Sequence, residues 1–213
     1  MQIECRHLPA TLASPRVAAR SDNGDGSNLP NITGYGAVYW NSKDSGSQYM
    51  LYADLAERIV PGAFDRAIRE DDVRALFNHD ANKVLGRTTS GTLSLRSDVK
   101  GLFYEVRPDP STGVARDVVG YLQRGDVSGS SFSFIPTDVV WREEGDLVIR
   151  EVHAVKLFDV GPVTFPAYTS ATSGLRSAGG QYSPTSREAA ASQELRRKLA
   201  HYRRLVRLAE LGI

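Results

Sequence analysis

Short stretches of alternating or near-continuous apolar residues, broken by polar turn clusters, recur along most of this chain, and they predict strands more often than helices. Residues 2–6 (QIECR) alternate weakly, as a first strand does. Ile32–Trp40 is β-branched and aromatic with interior glycines, the pattern of a bent or bulged strand. Tyr49–Ile59 reads as a returning strand, and Val73–Phe77, Gly91–Leu95 and Leu102–Arg107 read as further strands between turn residues. Two segments instead carry helical spacing: Pro61–Ile68, with proline near a first turn, and Val114–Gln123, with Val114, Val118, Tyr121 and Leu122 on one face. Gly129–Phe134, Leu147–Arg150 and Val152–Val160 complete a strand-rich body.

Beyond Ala167 the pattern changes. Residues 169–186 are rich in Ser, Thr, Gly and Pro and read as a flexible linker. From Arg187 the apolar positions Leu195, Leu199, Tyr202 and Leu205 step by three or four, with arginines on the other face. The predicted organisation is a domain at 1–168, a linker at 169–186 and a basic amphipathic helix at 187–213. The predicted class is α+β and β-rich, with a few short helices.

The chain has 213 residues, 26 basic and 25 acidic, for a net charge of +1. That sum conceals an asymmetry. Residues 187–213 hold seven Arg/Lys against three Glu, leaving 19 basic and 22 acidic in the remainder. Neither part carries a nucleic-acid recognition motif, so nucleic acid is not an expected partner. The single cysteine, Cys5, excludes an intramolecular disulfide and a Cys-based zinc cluster. No apolar run reaches the ~18–20 residues of a membrane span, and no signal-peptide core is evident. The expectation is a soluble protein of a reducing compartment.

Without a phosphate-binding loop, dinucleotide fingerprint or metal cluster, no cofactor and no metal are expected, and nucleophilic catalysis is the chemistry to test. Four histidines make the search for a base short. His201 lies among the tail arginines and His7 in the first strand, where solvated or structural roles suffice. His79 ends the strand-like run before Asn78-His79-Asp80, where a rigid support opens into a loop. His153 shares its alternating face with Val155 and Leu157 and reads first as a core histidine. In Gly129–Phe134, Ser131 and Ser133 alternate with Phe132 and Phe134, so the phenylalanines can enter the core while the serines face the other side.

Six blocks in order resemble the tailed-phage prohead serine proteases, which are similar in fold to the herpesvirus assemblins. They are GYGAVYW, ERIVPGAFDRAI, VRALFNHDANKVLGRT, GLFYEVRPD, VVGYLQRGDVSGSSFSF and REVHAVKLFDVGPVTFPAYTSA, covering about residues 30–170. The resemblance implies an antiparallel β-barrel-like core and a serine endopeptidase that cuts scaffold or capsid precursor, and itself, during prohead maturation. It puts the nucleophile on Ser131 and the general base on His79. The third member is open, because relatives carry a carboxylate at the position aligned with Ala154. His153, which would recreate a Ser-His-His arrangement, ranks ahead of Asp159, with Glu151 third. Backbone N–H groups at Gly161 or Val163 are the oxyanion candidates, since Pro162 has none to donate.

The resemblance further implies partners: the major capsid protein precursor or its scaffolding region, contacted through the basic helix, and a second copy of this chain. The location implied is the host cytoplasm, inside the assembling prohead. Ala154 motivates an alternative, an assembly factor that keeps the fold without the activity.

Overall fold

The computed structural model describes residues 3–8, 15–18, 29–52 and 54–165, with residue 200. The linker and basic helix expected at 169–186 and 187–213 therefore lie outside the described residues, apart from that one position.

Eleven strands and two short α-helices make up the described chain: β1 (Glu4–Leu8), β2 (Arg16–Ala18), β3 (Asn31–Val38), β4 (Tyr49–Tyr52), β5 (Leu55–Ile59), α1 (Asp65–Glu70), β6 (Arg74–Leu76), β7 (Val84–Arg87), β8 (Leu93–Ser97), β9 (Gly101–Val106), α2 (Gly113–Arg124), β10 (Gly129–Glu144) and β11 (Leu147–Val163). One sheet of seven strands runs β1-β10-β11-β5-β4, with β6 also on β11 and β7 on β6; a second, of four strands, runs β2-β3-β9-β8. A shared apolar core, including Ile32, Leu102 and Tyr104 from one sheet and Phe132, Phe134 and Val160 from the other, lies between them.

The β-rich α+β class holds, but the antiparallel barrel-like core is corrected. Among the described strands no ladder joins the two sheets into a closed barrel. The larger sheet is also mixed, because β5 and β6 both run parallel to β11. The connection through α1 is the cause: the chain leaves β5, turns through the helix and returns in the same direction to the same edge of β11. β5 pairs with residues 148–152 of β11 and β6 with 159–160. In the gap between them, Val60 N–H donates to the Val152 carbonyl, and Asp71 Oδ2 accepts from Leu157 N–H at 2.7 Å.

β10 and β11 form one long hairpin whose register shifts three times. Phe158, Thr137 and His153 are each an extra residue on their strand, opposite no partner. The Phe158 bulge decides which side chains meet. Phe132 pairs with Val160 and Phe134 with Leu157, so the core face of β11 steps three residues instead of two. Asp159 and Gly161 are thereby turned to the opposite face, beside Ser133 and Ser131. Without the bulge, strict alternation would put Asp159 on the core face with Val155 and Leu157. β1 covers the outer edge of β10 from Ser130 to Phe134, and Pro136 lies just beyond it, where its missing N–H costs no ladder bond.

Candidate active site

The non-core face of the large sheet carries a row of small and polar side chains across three strands: His7 on β1, Ser131 and Ser133 on β10, Asp159 and Gly161 on β11. His7 pairs with Ser131, Ser131 with Gly161, and Ser133 with Asp159. Directly paired residues project to the same side, so this row follows from register alone.

His79 reaches the row from the loop after β6. Asn78 and His79 adopt left-handed backbone conformations, with φ of 56° and 55°, a region asparagine and histidine visit more readily than bulkier residues. Asn78 holds the loop to the end of β11: its N–H donates to the Pro162 carbonyl at 3.1 Å, its Oδ1 accepts from Thr164 N–H at 2.8 Å, and its Nδ2 donates to Thr164 Oγ1 at 3.1 Å. Gly161 permits this close approach, since a Cβ there would stand 2.1 Å from the Leu76 carbonyl oxygen of β6.

So held, the imidazole bridges two strands. His79 Nε2 lies 2.5 Å from Ser131 Oγ, and Nδ1 lies 2.5 Å from Asp159 Oδ1. The carboxylate can only accept, which assigns the proton to Nδ1 and leaves the Nε2 lone pair facing the serine. Ser131 is fully buried, and its hydroxyl has a second acceptor in the Arg6 carbonyl at 2.9 Å. The second oxygen of Asp159, Oδ2, accepts from Ser133 Oγ. The ring of His7 meets that of His79 edge-on, with centroids 5.5 Å apart. Burial, then the neighbouring His79 and Arg6, lower the pKa of His7 below its ordinary value.

The structure thus brings Ser131, His79 and Asp159 together. It does not bring His153 or Glu151 to them. His153 is the extra residue of a bulge farther along β11, 3.5 Å from Glu151 Oε2, and Glu151 is paired with Arg142 at 2.7 Å. Ala154 faces Asp138 across the hairpin. The Pro162 carbonyl points to Asn78, so strand alternation turns the N–H groups of Gly161 and Val163 towards β10. Neither is aimed freely at a substrate carbonyl.

Three neighbours had no weight in the sequence reading: His7, Asn78 and Ser133. Ser133 was legible as sharing a face with Ser131; His7 needed the pairing of β1 with β10, which no local pattern carries. Among the described residues no group of three or more His, Cys, Asp or Glu side chains is arranged to hold a metal ion, and no helix is long and apolar enough to cross a membrane.

A hydroxyl, an imidazole and a carboxylate in series can move one proton away from the hydroxyl oxygen and return it elsewhere, the requirement of acyl transfer. Comparison with known families agrees in kind: the family model described as caudovirus prohead serine protease matches residues 16–181. No curated protein and no solved structure matches the chain.

Proposed function

The chain belongs to the caudovirus prohead serine protease family, and from that premise we propose that it is an endopeptidase that cleaves scaffold or capsid precursor protein, and itself, using Ser131, His79 and Asp159. The observation that carries this reading is the unbroken contact series from Ser131 Oγ through both nitrogens of His79 to Asp159 Oδ1.

Ser131 Oγ attacks the carbonyl carbon of the scissile peptide while His79 Nε2 takes the hydroxyl proton. Asp159 holds the tautomer and stabilises the imidazolium. As the C–N bond breaks, His79 returns that proton to the departing amine, leaving an acyl group on Ser131. Water then repeats the cycle, its proton passing to His79 and back to Ser131 as the carboxylic acid leaves. The buried Ser131 hydroxyl must exchange the Arg6 carbonyl for the substrate as its neighbour.

The alternative of an inactive assembly factor drew on the alanine at 154. Asp159 weakens that motive, since it supplies a carboxylate to His79 from a different position of β11. For the partners, we take the basic segment 187–213 as the part that docks on the capsid precursor, and a second copy of the chain as the assembly partner.

The test is co-expression with the capsid precursor, alongside labelling of the purified chain by a fluorophosphonate. Wild type should cut and label; Ser131→Ala and His79→Ala should lose cleavage by about four orders of magnitude or more. Undiminished cleavage in Ser131→Ala would overturn the nucleophile, and a folded wild type that neither cuts nor labels would favour the assembly factor.

A further inference from the structure

We infer that Ser133 is a positioning residue of this site: its hydroxyl fixes the Asp159 carboxylate in the rotation that presents Oδ1 to His79. The inference depends on the proposed roles of Ser131, His79 and Asp159 and extends them to a fourth side chain.

An aspartate carboxylate turns about a broad, roughly two-fold torsion, so one bonded oxygen alone defines its plane poorly. Here both oxygens are engaged, Oδ1 by His79 Nδ1 and Oδ2 by Ser133 Oγ. Ser133 and Asp159 face each other directly across β10 and β11, at 3% and 7% exposure, so water has little room to replace the hydroxyl. Among the described residues no guanidinium is paired with Asp159. Arg74 pairs with Asp159 along the ladder, yet its side chain turns to Asp72, at 3.1 Å.

The arrangement also separates the two serines of the Ser-Phe-Ser-Phe run. Ser131 contacts the imidazole nitrogen that can accept its proton; Ser133 donates to a carboxylate oxygen, a far weaker base than imidazole. Removing the Ser133 hydroxyl leaves a buried carboxylate oxygen unsatisfied. The less compensated carboxylate then draws the proton of His79 more strongly, and its geometry is looser.

A merely structural serine would not alter the pH dependence of the chemistry, so the experiment reads it directly. Fluorophosphonate labelling rates of the purified full chain are measured against pH for wild type, Ser133→Ala, Ser133→Thr and Ser131→Ala, each with a thermal melt. Ser133→Ala should label about ten-fold or more slowly near neutral pH, with the acidic limb of its profile moved to higher pH. Ser133→Thr, which keeps a hydroxyl, should retain the wild-type limb. A folded Ser133→Ala with the wild-type rate and limb overturns the inference while leaving Ser131 and His79 in their roles. If Ser133→Ala does not fold, the near-isosteric Ser133→Cys decides. Its weak S–H donor should give the displaced limb, and a wild-type profile overturns the inference. A folded wild type that does not label removes the proposed function itself, and this inference with it.

Discussion

Asp159 and His153 stand six residues apart on one strand, and which of them lies against His79 is decided by the residue between Leu157 and Asp159. The bulge at Phe158 rotates Asp159 to the serine side, whereas the bulge at His153 leaves that ring beside Glu151. Asp159→Asn should therefore lower the labelling rate of Ser131 by about 10³–10⁴-fold, since an amide favours the wrong tautomer of His79. His153→Gln should leave that rate within about two-fold, since its ring lies beside Glu151 and touches none of Ser131, His79 and Asp159. A large loss in His153→Gln with none in Asp159→Asn would reverse the assignment. At this scale the sequence singled out His79 and Ser131 as ending or entering strands in recognisable runs, and the resemblance gave them their expected roles. It left the residue beside His79 open among His153, Asp159 and Glu151. Period-two alternation assigns faces only where the ladder is regular, and β11 is irregular at the two positions that mattered.

At the scale of elements, the helix predicted at Val114–Gln123 is α2, closed by Gly125 in a left-handed conformation, and the bent strand at Ile32–Trp40 is β3, with its register shift at Gly36. Tyr49–Ile59 proves to be two strands, β4 and β5, which pair with each other. β2, β7 and the distal half of β10 left no clear trace. β2 and β7 are too short, at three and four residues, and β10 continues through Pro136 and four charged residues that resemble a loop. At Gly161, β11 passes close against the Leu76 backbone of β6. Gly161→Ala adds a Cβ against backbone, which cannot swing aside as a side chain can. The substitution should cost about 1–3 kcal/mol in urea unfolding and slow the labelling of Ser131, because the loop that follows β6 carries His79. Unchanged stability and labelling would mean that β6 moves freely relative to β11.

Across the whole molecule, the strand that walls the site is tied down by charge. Arg6 and Arg150 both meet the fully buried Glu57 carboxylate, at 2.6 Å and 2.9 Å, and both also bind Glu4, so β1, β5 and β11 share one ion-pair network. Burial opposes the charge of Glu4, but Arg150 and Arg6 outweigh it and hold its pKa below 4.5; His7 is held below 6.5. Both groups thus bind fewer protons folded than unfolded, and stability falls as pH falls. The His7 contribution is intact above pH 6.5 and declines below it; that of Glu4 is intact above pH 4.5 and declines as its folded pKa is crossed. Urea midpoints should be flat between about pH 6.5 and 8 and drop in two stages below that range, and His7→Gln should abolish the upper stage. A first stage that persists in His7→Gln would place the titration elsewhere. None of this network was legible in the sequence, since its members come from three distant strands. β1 also imposes an order on biosynthesis. Arg6 leaves the ribosome 125 residues before the serine that its carbonyl contacts, and β10 itself needs β11 for its other edge. A nascent chain therefore carries each of these side chains apart, and the contact series from Ser131 through His79 to Asp159 assembles only once β11 has been synthesised.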